Sequence, residues 1–188
     1  MRPFEYYLEG FFYYLRKVSI SNYLKKTMKK VQIEIKWAVV FTVMSLAWML
    51  LEKTLGWHDE KIADHFWLTL LFLPFAFLMY LLAMREKRRR YYDRHITWKQ
   101  AFTTGVVMSV FVALLSPLGQ YLTHNYITPE YFVNVKNYSV TNEAMTIKKA
   151  NEYFNISNYI MQAAIGALVG GVVISAIAAL FVKRLRKA

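Results

Sequence analysis

The chain has 188 residues, is 56% hydrophobic and carries a formal net charge of +12 without a single cysteine. Disulfides, thiolate nucleophiles and cysteine-ligated metal sites are therefore excluded. The length suits one domain, and the apolar fraction is high for a soluble one.

Residues 1–27 form an aromatic lead. Phe4, Tyr7, Leu8, Phe11, Leu15 and Val18 fall near one helix face, and Arg16, Lys17, Lys25 and Lys26 supply charge. Two readings stand for this lead. One is an interfacial helix lying on an anionic leaflet. The other is a start that is not native, because Met28-Lys29-Lys30 looks like an ordinary bacterial start. Its apolar stretches are too broken for a secretory signal peptide.

Residues 28–188 read as a four-span membrane domain. A bilayer core of about 30 Å needs about 20 apolar helical residues. Four runs reach that length, at about 37–56, 66–84, 101–122 and 159–182. The first span has Trp37 and Trp57 as interface anchors. Its Thr42, Ser45, Met49 and Glu52 share one face. The second carries Pro74 mid-span, where a kink is expected.

The loop after it, REKRRRYYDRHITWK, is basic, and Arg85, Lys87, Arg88, Arg89 and Arg90 are expected on lipid head groups. The third span holds small residues every fourth position: Ala101, Gly105, Ser109 and Ala113. Pro117 follows near its far end. Residues 123–158 are too long for a bare turn. Pro129-Glu130-Tyr131-Phe132 marks one helix start. Thr146 is placed to cap another, through Phe154. The fourth span carries Ala163, Ala167, Gly171, Ser175 and Ala179 in one row, with Gly166 and Gly170 beside it.

Residues four apart share a helix face, and small ones let backbones approach in lipid. The two rows therefore predict that spans three and four pack antiparallel. The competing reading is that one row faces a second copy of the chain.

Charge distribution orients the spans. Nineteen of the 24 Lys and Arg fall in residues 1–36, 85–100 and 183–188, and five in 52–65 and 123–158. Basic loops stay in the cytoplasm. The expected fold is all-α: an integral membrane four-helix bundle with both termini inside and a small helical outer loop between spans three and four. The positive charge is thus topological, and no nucleic acid is expected as a partner.

The runs WMLLEKTLGWHDEKI, TWKQAFTTG, SPLGQYLTHNYITPEYF and MTIKKANEYFNISNYIMQ, in that order, resemble a bacterial four-span family catalogued as domain of unknown function 4199. The likeness covers about residues 28 to 183. It implies a bacterial inner-membrane protein and brings neither an activity nor functional residues.

Each span has a polar group near the outer end of its apolar stretch. These are Glu52, then His65 and Thr69, then Ser116 and Gln120, then Gln162. Convergence would make a polar pocket open to the outer side, with His58, Asp59 and His124 at its mouth. Such a pocket could take a head group, a cation or a proton. The plainer alternative is interhelical hydrogen bonding. His58, Asp59, His65 and His124 offer N and O donors, but their spacing matches no metal motif, and no metal or cofactor is expected. No phosphate-binding glycine loop or nucleophile elbow is present, so no catalytic residues are assigned.

The expected role is a non-catalytic accessory or scaffold subunit, in contact with anionic lipid and with a membrane partner or a second copy. A small oligomeric transporter or channel built around Glu52 is the alternative. A lipid-modifying enzyme is the third reading.

Overall fold

The computed structural model describes residues 3–185, with side chains from Thr27 onward. The interfacial reading of the lead rests on side chains outside those described. The chain divides into two compact units, Met1–Ile33 and Glu34–Ala188, and the first is helical from Pro3. Among the described residues every regular element is helical: α1 (Pro3–Thr54), α2 (His65–Thr69), α3 (Leu73–Arg90), α4 (Trp98–Leu122), α5 (Tyr131–Thr141), α6 (Ile147–Tyr153) and α7 (Ile156–Val182).

Four segments are long and apolar enough to cross a membrane: Thr27–Thr54, His65–Arg90, Trp98–Ile127 and Ile156–Val182. This is a multi-pass membrane protein. The spans run longer than the apolar stretches that mark them. Arginine and lysine are good helix formers whose stems lie along apolar surface, so α3 continues through the Arg88-Arg89-Arg90 run.

The two prolines act locally. Pro74 lacks an N–H, and the chain meets it with a 3-10 turn, Leu70–Phe72. The Leu70 carbonyl that Pro74 cannot reach takes the Leu73 N–H instead. The second span is thus α2, a tight turn and α3, with Pro74 in the first turn of α3. Pro117 frees the Ala113 carbonyl, and Ser116 donates its hydroxyl to that oxygen at 2.8 Å. The third span ends in a π-turn, Thr123–Ile127, closed by Thr128 N–H on Thr123 O at 2.8 Å.

Spans three and four pack as their small rows predict. A Cβ on Gly105 would strike Ser175 and Met84, and one on Gly171 would strike Ser109 and the Tyr80 hydroxyl. Four residues forward on α4 are four residues back on α7, so the helices are antiparallel. The same register sets Ala101 against Ala179 and Ala113 against Ala167. Lipid is as apolar as leucine, so close packing and interhelical hydrogen bonds must hold this seam. Ser109 and Ser175 turn their hydroxyls onto Gly105 O and Gly171 O, and Tyr80 of α3 reaches Ser109 at 2.8 Å. Ala83, Met84, Met108, Val112, Ala178 and Val182 complete the core around it. Gly166 and Gly170 have nothing within 4 Å of an added Cβ and lie off this seam.

The segment between spans three and four forms a cap. Thr146 caps α6 through Lys149 N–H, as its position predicts, and Asn155 caps α7 through Asn158 N–H. Tyr131, Val135, Ala150 and Phe154 make a small second core, packed by Ile62, Phe132 and Tyr159.

Candidate functional site

The site begins with how α1 stops. Gly56 has φ +73°, a conformation that only glycine adopts without strain. Its N–H bonds Lys53 O, and Trp57 N–H bonds Glu52 O, both at 3.0 Å. This is a Schellman ending, and it folds the chain back over the last turn of α1. His58 is thereby returned onto Glu52, in the last turn of the helix. Trp57 packs on Trp48 at 6.2 Å between ring centroids and is buried, so it is an internal prop rather than an interface anchor.

Glu52 is fully buried. One carboxylate oxygen, Oε1, accepts the Trp48 indole N–H at 2.6 Å. The other, Oε2, lies 3.0 Å from His58 Nε2 and 3.3 Å from His65 Nε2. The Thr69 side chain faces the same carboxylate. His58 is 4% exposed, while the His65 side chain keeps 21%. One donor atom from each of Glu52, His58 and His65 lies within 4.8 Å of the other two. Two imidazoles and a carboxylate at this spacing can hold a divalent cation or share a proton.

The cap closes over this centre through Tyr131, the first residue of α5. Its ring centroid lies 5.3 Å from those of His58 and His65 and 5.5 Å from that of His124. Its hydroxyl is 3.5 Å from His65 Nδ1 and 3.1 Å from the Tyr159 hydroxyl of α7. Burial, reinforced by Tyr159, pushes the Tyr131 phenol far above its ordinary pKa, so it stays a neutral hydrogen-bonding group. Asn134, one turn later, donates its amide to His58 O at 3.1 Å. His58 Nδ1 is buried with no hydrogen-bond partner.

Of the polar groups expected to converge, Glu52, His65 and Thr69 do. Gln120 joins at one remove, bonded at 3.0 Å to His124, which stacks on Phe132. Ser116 is spent on the carbonyl freed by Pro117, and Gln162 is exposed on α7. Asp59 is exposed as well, while His58 is part of the centre rather than its mouth. The centre is packed, with Glu52 sealed under the cap rather than facing an open pocket. Trp48, Tyr131, Asn134 and Tyr159 were not among the expected residues. Trp48 is readable in hindsight, four residues before Glu52 on the same face. Tyr131 and Tyr159 arrive through the cap fold and carry no local signal.

At the other end of the bundle the basic residues separate by role. Lys87 is buried and bound to Glu34 at 2.9 Å, so it stands inside rather than on the lipid-facing surface. Arg90 pairs with Glu86 at 3.3 Å, and Lys36 pairs with the same carboxylate. Arg85 and Arg89 are exposed. Arg88, Arg89, Arg94 and Arg184 line a cavity of about 430 Å³. Ile96 and Arg184 exchange two backbone hydrogen bonds, and Arg88 donates to Val182 O at 2.8 Å, which fixes the rim.

No curated protein and no solved structure matches the chain. A family model does, over residues 36–184, a range that includes the Glu52 centre, the cap and the arginine cavity. The chain therefore belongs to the family described as Protein of unknown function (DUF4199).

Proposed function

We propose that this chain is a non-catalytic accessory or scaffold subunit of a bacterial inner membrane, with its basic end in the cytoplasm and its cap outside. The observation that carries this reading is the closure of the bundle. The seam between α4 and α7 brings Gly105 against Ser175 and Ser109 against Gly171 with no room for a methyl group. The Glu52 centre sits at the cap end of the spans, with the carboxylate buried under the chain's own side chains and only the His65 edge partly exposed. Among the described residues, a single copy thus offers no polar route from one side to the other. The apolar faces that remain, with Gly166 and Gly170 open among exposed Ile165, Val169 and Val173, suit contact with lipid and with another membrane helix. The arginine cavity supports contact between the basic end and anionic head groups.

A transporter is the second reading, favoured by one observation: an ionisable residue fully buried within a membrane span. The two readings separate in proteoliposomes of purified protein. The scaffold reading expects proton and divalent-cation flux at the level of protein-free vesicles. Flux above that level that vanishes in Glu52→Gln would overturn it. In intact membranes, a photocrosslinker placed at Gly166 is expected to capture one defined membrane protein or a second copy. Capture of lipid alone would count against a docking role for α7.

A further inference from the structure

We propose that Glu52, His58 and His65 form a binding site for a divalent transition-metal cation of the zinc class, at the cap end of the bundle. The inference goes beyond the scaffold reading, which holds whether or not an ion binds.

Three observations lead to it. The first is the donor set. Two imidazole nitrogens and one carboxylate oxygen form a mixed N and O set of intermediate softness, suited to zinc and its neighbours rather than to magnesium or calcium. The second is the spacing. In a tetrahedral zinc site with bonds of about 2.0–2.1 Å, neighbouring donor atoms stand roughly 3.3 Å apart. The two carboxylate–imidazole separations are 3.0 and 3.3 Å. The third is the surrounding shell. Metal-bound histidine commonly uses its other ring nitrogen to hydrogen-bond a fixed partner. His65 Nδ1 faces the Tyr131 hydroxyl, which is itself held by Tyr159. Trp48 occupies the second carboxylate oxygen and so orients the first. His58 Nδ1 has no such partner, so of the two rings only His65 has this second hydrogen bond.

Binding requires Nε2 of both rings, which faces the carboxylate, to be free of its proton. Neutral imidazoles coordinate through Nε2 and carry their proton on Nδ1, while the carboxylate stays ionised. The proton on His65 Nδ1 then points to the Tyr131 oxygen, and the Tyr131 proton to Tyr159. The fourth position is left for water, on the side where His65 is partly exposed. An ion here would join the end of α1, the turn after it and the start of α2, with the cap resting on both histidines.

The test uses the full chain purified in mild detergent after treatment with a chelator. Zn²⁺ and Co²⁺ are the probes. Elemental analysis after dialysis is expected to find one ion per chain. Co²⁺ is expected to give the intense visible bands of a four-coordinate site. Glu52→Gln and His65→Ala are expected to lose stoichiometric binding, while His95→Ala, whose side chain is exposed at the basic end, keeps it. Tyr131→Phe, a positioning change, is expected to weaken affinity by about 10–100-fold and leave the stoichiometry intact. Each variant is first checked for helix content and a cooperative melt without metal. Should Glu52→Gln fail that check, His65→Ala carries the test, because its ring lies at the edge of the site. A wild-type chain that retains no ion overturns the proposal. So does a folded His65→Ala that retains one ion per chain.

Discussion

The buried ion pair between Glu34 and Lys87 illustrates what a single residue does here. Lys87 sits in a run of six charged residues that looks like a solvated face, yet it is 4% exposed, and Glu34 is 3% exposed. Nζ lies 2.9 Å from one carboxylate oxygen and 3.1 Å from the other, and also stands over the Tyr91 ring at 4.3 Å. Removing one member of such a pair leaves the other charge buried without its partner, at a cost of about 3–5 kcal/mol. Lys87→Met should therefore lower the unfolding free energy by about that amount, measured by denaturing-detergent titration of mixed micelles. The double change Glu34→Leu with Lys87→Met should recover most of it, since it removes both charges. Exposed Arg85→Met is the comparison, expected to shift stability by less than about 0.5 kcal/mol. Equal losses for Lys87→Met and Arg85→Met would show that the pair contributes nothing in particular. Nothing in the local sequence separates Lys87 from its neighbours. What distinguishes it is a carboxylate 53 residues earlier, across the bundle.

At the scale of elements, the packing of α4 on α7 was readable because small residues every four positions leave a groove on any helix, whatever its partner. The five-residue row on α7, rather than the Gly166 and Gly170 pair beside it, is the one its spacing marks for packing. That row, through Gly171 and Ser175, meets α4, and Gly166 and Gly170 face away. A matched pair of substitutions separates them. Gly171→Leu forces a side chain into Ser109 and Tyr80, and overpacking of this kind costs typically about 1–3 kcal/mol or rearranges the seam. It should lower the melting temperature in detergent and broaden the size-exclusion profile. Gly166→Leu has open space to fill and should leave both unchanged. Equal damage from the two would mean that Gly166 also lies in an interface, within a second copy of the chain. The cap gives the complementary lesson. Thr146 and the Pro129 turn announced α6 and α5, because capping and proline chemistry are local. Placing Tyr131 against three histidines depends on how the cap helices dock, which no period or spacing encodes. Ser116 went astray for a related reason: its hydroxyl was claimed by the carbonyl that the neighbouring Pro117 had released.

At the scale of the whole molecule, composition alone set the class. Four apolar runs of spanning length in 188 residues leave little else for the chain to be, and the four helices are there. Orientation follows from where charge lies rather than from packing, so it is tested separately. The structure concentrates arginine at one end, where Arg88, Arg89, Arg94 and Arg184 share a cavity, and places the cap at the other. Basic loops are as a rule retained on the cytoplasmic side, and on that rule the proposed orientation puts the cap outside. The chain has no cysteine, so single substitutions report without background. Tyr91→Cys, in the loop after α3, and Lys149→Cys, on α6, are both at exposed or partly covered positions away from the Glu52 centre. In cells with a permeabilised outer envelope and an intact inner membrane, a membrane-impermeant maleimide should label Lys149→Cys at once. Tyr91→Cys should react only after the inner membrane is broken. The opposite pattern would invert the protein and put the Glu52 centre on the cytoplasmic side, where the cation available to it would come from the cytosol.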